Sequence, residues 1–153
     1  MSPRELMDWL NRGMEIYVPA VTQRDGMVNK FTGDGMLAVF GVPLPGDPSA
    51  EAQAALEAAC EIKSGLERLN AELKSEGAPT MRIRMGIHSG EALVGSIGGA
   101  ERLEYAVIGD AVNCASRLES HDKNRHEGEL RVLLSSTTLE LLPTEFRRSL
   151  GLE

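Results

Sequence analysis

An α+β domain, with helices packed against an antiparallel-rich sheet, is what the order of hydrophobic patterns along these 153 residues predicts. Three observations carry that expectation. Two long stretches repeat apolar residues at helical spacing, and tight glycine-bearing turns at 33–35 and 89–90 separate short alternating runs. The last third then alternates strand and helix patterns.

Ser2, Pro3 and Glu5 form a helix start: a hydroxyl cap, proline at the first helical position and a carboxylate three residues after the cap. Leu6, Leu10, Met14, Tyr17 and Val21 follow on one face, and Pro19 is expected to kink or split that helix. A hairpin comes next. Its strands flank Gly33-Asp34-Gly35, with Val28, Lys30 and Thr32 expected on one face and Met27, Asn29 and Phe31 on the other. The Pro43–Pro48 loop leads into a second helix from about Ser49, with Ala52, Ala55, Leu56, Ala59, Ile62, Leu66, Leu69 and Leu73 on its apolar side and Gly77 as its stop.

A second hairpin is expected to pair residues 81–88 with residues 92–97 across Ser89-Gly90, placing Arg82, Arg84 and His88 on one face. Residues 103–108 read as a further strand, 110–120 as a short helix, 121–129 as an exposed charged arm and 130–134 as a strand. Ser135 or Ser136 then caps a last helix through Leu142. A length of 153 residues is that of one compact domain, and with no internal repeat the expectation is a single domain over residues 1–153.

Hydrophobic content of 42% and charged content of 25% are those of a globular chain. A net charge of -7 argues against a nucleic-acid polymer as partner, because a polyanion needs a basic face. It leaves room for a small phosphate ligand held by a few placed cations. Cys60 and Cys114 lie inside helical patterns and read as buried free thiols of a reducing compartment. No apolar run approaches the ~20 residues that cross a bilayer. The expected location is the cytoplasm, either free or as the cytoplasmic part of a membrane-anchored sensor.

Several residues invite a chemical role and also admit a plainer one. Asp34 at a hairpin tip is ordinary turn chemistry or a ligand. Arg84 on an apolar strand needs an anion or a carboxylate to offset its desolvation, and a rim ion pair would do. Asn113 and Arg117, four apart, share one side of a helix and are either solvated surface or a pair suited to a hydroxyl and a phosphate. His88 reads as a structurally satisfied histidine.

Taken in order, Lys30-Phe31-Thr32-Gly33-Asp34-Gly35, Arg84-Met85-Gly86-Ile87-His88-Ser89-Gly90 and the run from Tyr105 through Gly109-Asp110 and Asn113 to Arg117-Leu118-Glu119-Ser120 resemble the class III nucleotidyl cyclase catalytic domain. The likeness runs from about Ser2 to about Leu142. It implies a ferredoxin-like cyclase fold and conversion of ATP to 3′,5′-cyclic AMP and pyrophosphate. It further implies two divalent cations (Mg²⁺ or Mn²⁺), a homodimer with composite sites, and fusion to sensor or regulatory domains.

By position, the resemblance makes Asp34 a metal ligand and Arg84 a phosphate contact. Lys30 becomes the purine reader, where lysine goes with adenine and glutamate with guanine. Ala106, with its neighbour Val107, falls at the substrate-binding position that partners this lysine. Asn113 orients the ribose, and Arg117 stabilises charge on the α-phosphate. The residue types suit the chemistry, since carboxylates hold hard cations and guanidinium is fixed positive charge.

Three departures from the family pattern are expected to matter. The family's first strand, with a second metal-binding aspartate, and its last strand, with a triphosphate-binding lysine, have no counterpart in this sequence. Ala106 stands where an adenine-reading cyclase offers Asp or Thr, so GTP stays open as a substrate. Little activity is expected of this polypeptide alone, because a single carboxylate holds two cations poorly. The alternatives are a guanylate cyclase and a non-catalytic dimerisation or regulatory module.

Overall fold

The computed structural model describes residues 1–125 and 128–152; the expected arm at 121–129 therefore lies in part, at 126 and 127, outside the described residues. Helix α1 spans Pro3–Thr22 and starts as its sequence dictates. The Ser2 hydroxyl accepts from the Glu5 amide, and the Ser2 amide donates to the Glu5 carboxylate at 2.6 Å. Pro19 does not divide the helix. It costs one backbone bond in the last turn, and the amide of Gln23 still reaches the Pro19 carbonyl at 2.9 Å, so the helix continues across it.

Helix α2, Pro48–Ser75, is capped by Asp47, whose carboxylate accepts from the amides of Ser49 and Ala50. It ends at Gly77, where φ is +71°. The amides of Gly77 and Ala78 return to the carbonyls of Lys74 and Leu73, a Schellman closure that needs a residue without a Cβ at position 77. Leu66, Leu69, Leu73 and Met81 form one core cluster against Trp9, Ile16 and Tyr17 of α1. Ala52, Leu56 and Leu142 form a second, packed by Ile87, Val132, Leu134 and Phe146. Gly65 admits Ile16 at the crossing of the two helices, since a Cβ there would overlap that side chain. Asn70 is fully buried and satisfied on both sides of its amide by the backbone of Met81, which fixes the chain's entry into the strand that follows.

Among the described residues the strands form three pairs and not one continuous sheet. Strand β1 (Met27–Thr32) and strand β2 (Gly35–Val39) make the expected hairpin, with Gly33 at φ +67° in its two-residue turn. Strand β3 (Ile83–Ile87) runs parallel to β6 (Leu130–Leu134). Strand β4 (Leu93–Gly99) runs antiparallel to β5 (Arg102–Ile108). The expected hairpin across Ser89-Gly90 is thus replaced by one across Ala100-Glu101. Strand β3 is covered on both faces, by α2 on one side and by α3 (Asp110–Ser120) on the other. That double cover is the environment of a parallel pair and not of a half-exposed hairpin.

Helices α4 (Ser136–Leu141, capped by Ser135) and α5 (Thr144–Ser149) complete the chain; α5 is not foreshadowed by the sequence pattern. Cys60 is exposed and not buried, because it falls on the solvent side of α2, and Cys114 is half-buried; both are free thiols. Among the described residues no helix is long and apolar enough to cross a membrane.

Burial between α1 and the core pushes the Tyr17 phenol up to about 12, and its hydroxyl lies 3.3 Å from the Met81 sulfur. A raised pKa on a neutral acid means the folded state holds the proton more tightly than the unfolded chain. The corresponding stability is present below pH ~10 and is lost as pH rises from there through the folded value. Alkaline titration should therefore show one late tyrosinate absorbance step coinciding with loss of helical circular dichroism. Tyr17→Phe should abolish that step.

Candidate active site

Lys30 and Asp34 are both exposed, the first on β1 and the second at the hairpin tip. The strand carrying them is not regular. Val28 pairs with Ala38 and Lys30 with Leu37, which leaves Asn29 as the extra residue of a bulge. Because side chains alternate along a strand, this single insertion reverses the facing of all that follows it. Lys30 shares the face of Leu37 and not, as expected, that of Val28.

Ala106 and Val107 are half-buried on β5, opposite Gly95 and Val94. The position of a Cβ on Gly95 has no heavy atom within 4 Å, so the face bearing Gly95 and Ala106 is open. The Asn29 side-chain amide donates to the Tyr105 carbonyl at 2.7 Å, joining β1 to β5 one residue from Lys30 and one from Ala106. Strand β5 also touches α3, so Lys30, Ala106, Val107 and the helix carrying Asn113 and Arg117 are grouped about one strand.

Helix α3 projects Asn113 and Arg117 to solvent, while Val112, Ala115 and Leu118 are half-buried. Gly86 is why the helix sits where it does. A Cβ on Gly86 would overlap the Ala115 carbonyl oxygen and the Glu119 amide, so backbone of helix and strand meet directly. Arg84 lies on this same face. Its Nε donates to the Glu119 carboxylate at 2.9 Å, and the side chain is about one-third exposed.

Arg131, beside Arg84 in the parallel register, donates to the carbonyls of Glu119, His121 and Asp122 and so caps the C-terminal end of α3. Of these anchors, Gly86 and Glu119 stand inside the quoted motifs with no role assigned to them there, and Arg131 stands outside. Arg131 carried a signal in being the sole charge on the Leu130–Leu134 strand, the same feature that drew notice to Arg84. His88 is satisfied as expected, with Nδ1 2.9 Å from the Ser135 hydroxyl, which in turn meets Thr138 and through it Ser89.

Asp34 is one carboxylate, and among the described residues no group of three or more His, Cys, Asp or Glu side chains is gathered for a metal ion. A single exposed carboxylate suits a Mg²⁺ or Mn²⁺ ion that takes its other ligands from phosphate and water. It falls short of the donors needed to hold a pair of ions by this chain alone.

Comparison with known proteins places the chain in a family. The model of the adenylate and guanylate cyclase catalytic domain matches residues 1–150. Adenylate cyclase 1 of Rhizobium meliloti is 37% identical over 123 residues, which is 80% of this chain and 18% of that protein, so the chain spans under a fifth of that relative's length. Among solved structures, the guanylyl cyclase Cya2 superposes with a TM-score of 0.81 at 31% identity, over 92% of this chain and 68% of that one. The adenylyl cyclase CyaB from P. aeruginosa gives 0.81 at 30% identity, over 92% and 70%. With three ordered motifs, an α+β architecture and a family match across nearly its whole length, the chain belongs to the class III nucleotidyl cyclase catalytic domains, the adenylate and guanylate cyclase family.

Proposed function

We propose that this chain is the catalytic domain of an adenylate cyclase, closing ATP to 3′,5′-cyclic AMP with release of pyrophosphate. The observation that carries the reading is the grouping about β5: Lys30 and Ala106 brought to adjoining strands by the Asn29 bond, and Asn113 with Arg117 free on the exposed face of a helix touching that strand. In the reaction the ribose 3′-hydroxyl attacks the α-phosphorus in line with the departing pyrophosphate.

Asn113 offers an amide to hold the ribose, and Arg117 places a planar, permanent cation where the α-phosphate gains charge. Arg84 contributes to the phosphates once its guanidinium is shared between them and Glu119. Lys30 donates to the purine edge. Two divalent cations are part of the proposal, with Asp34 as this chain's ligand. When bound, they acidify the 3′-hydroxyl and neutralise charge on the phosphates.

The β4–β5 hairpin supports a second element of the reading. Leu93 is 74% exposed, Leu103 72%, and Ile97 and Ile108 are each about half-exposed. Leu93, Ile97 and Ile108 share one face of the hairpin by register, with Leu103 on the other, and an exposed apolar strip of that kind suits burial against a second copy of this chain. The active unit is then a homodimer whose base-reading and metal-holding residues come from different protomers.

Ala106 favours one further reading, a guanylate cyclase. It has no side-chain hydrogen bond to offer adenine, a loss equivalent to about 0.5–1.5 kcal/mol of selectivity. The test is calorimetric binding of non-hydrolysable ATP and GTP analogues with Mn²⁺, alongside an assay for cyclic nucleotide. The ATP analogue should bind more tightly, and Lys30→Glu should reverse the order. No binding of either analogue overturns the enzyme reading and leaves a scaffold module.

A further inference from the structure

The bulge in β1 does more than interrupt a ladder, and its extra residue has a partner that explains why it is there. In a regular ladder continued from Val28 and Ala38, Asn29 would pair with Leu37 and Lys30 with Met36, so that Lys30 would share the face of Val28 and Ala38. With it, Lys30 shares the face of Leu37. A bulged residue has no ladder partner of its own, so its side chain is free to act elsewhere. Asn29 uses that freedom. Its Nδ2 donates to the Tyr105 carbonyl at 2.7 Å, and among the described residues this is the single hydrogen bond joining the β1–β2 hairpin to the β4–β5 hairpin.

We propose that Asn29 is a positioning residue for nucleobase selection: the bulge turns Lys30 to its working face, and the bond to the Tyr105 carbonyl sets the spacing between the Lys30 ammonium and the strand carrying Ala106. The inference rests on the nucleotide reading above and names a residue that touches no substrate. Its importance is raised by Ala106. With no side-chain hydrogen bond available at that position, discrimination falls on Lys30, whose long flexible stem is only as selective as its anchor is fixed. Among the described residues no other hydrogen bond joins the two hairpins, so none but this one fixes that spacing.

Asn29→Leu keeps the volume and removes the donor, Asn29→Ala removes both, and Asn29→His returns a ring N–H near the place of the amide. Each variant of the 153-residue chain is titrated by calorimetry, with Mn²⁺, against a non-hydrolysable ATP analogue, the matching GTP analogue and inorganic tripolyphosphate, which has no base. Amide hydrogen exchange of residues 93–108 is followed in parallel.

The Leu and Ala variants should lose roughly 3- to 10-fold of the wild-type ratio between the two nucleotides, the scale of one hydrogen bond. Their tripolyphosphate affinity should be unchanged, exchange in β5 should be faster, and His should restore much of the ratio. An unchanged ratio, or an equal loss of tripolyphosphate and nucleotide affinity, overturns the proposal and leaves Asn29 a purely structural residue. Failure of the unaltered chain to bind any of the three ligands overturns the nucleotide reading itself and this inference with it.

Discussion

Gly86→Ala should dislodge α3 and with it the presentation of Asn113 and Arg117. The added methyl would overlap the carbonyl oxygen of Ala115 and the amide of Glu119, which are backbone atoms held in a helical ladder and unable to swing aside as a side-chain tip would. Relief requires moving the helix away from β3. That in turn stretches the Arg84–Glu119 ion pair and the three bonds by which Arg131 caps the helix end.

Overpacking a close backbone contact costs about 1–3 kcal/mol and can exceed that. Hydrogen exchange should show α3 amides losing protection, and urea denaturation followed by Trp9 fluorescence should show a lowered midpoint. Gly95→Ala is the matched control: its Cβ would meet open space and its φ is not positive, so stability should stay within about 0.5 kcal/mol. Retention of α3 protection in Gly86→Ala would mean the helix is not seated by this contact.

Arg117→Ala should separate catalysis from folding. Among the described residues its guanidinium has no hydrogen-bond or ion-pair partner, and the side chain is exposed, so truncation should leave thermal stability within about 0.5 kcal/mol of the unaltered chain. If the residue meets charge that develops on the α-phosphate, turnover should fall roughly 10²- to 10³-fold while analogue affinity changes little. Arg117→Lys should recover only a part, since an ammonium lacks the planar fork. A rise in KM with unchanged kcat would reassign Arg117 to ground-state binding, and no change in either would remove it from the site.

Much of the secondary structure is legible in the chain because its signals are local. The Ser2–Glu5 box, the Gly77 closure, the Gly33-Asp34 turn and the Ser135 cap each act within five residues, and each lies where the sequence places it. The site is legible more by motif than by physics. Taken singly, Asp34, Arg84, Asn113 and Arg117 fit ordinary surface roles as well as catalytic ones, and the carboxylate that Arg84 meets, Glu119, lies 35 residues along the chain.

By itself, then, the sequence determined helices α1 to α4, the turn of the first hairpin and the family, since these follow from spacing, caps and motifs within a few residues. Three matters belonged to the tertiary structure. Strand β3 takes β6 and not β4 as its neighbour, because two helices enclose it on both faces. Lys30 changes face, because an insertion at Asn29 shifts a register that no alternation pattern records. Helix α3 lies on Gly86, because only the folded chain brings those two backbones together. All three depend on partners distant in sequence or on a register slip of one residue, and neither leaves a periodic trace in the order of the amino acids.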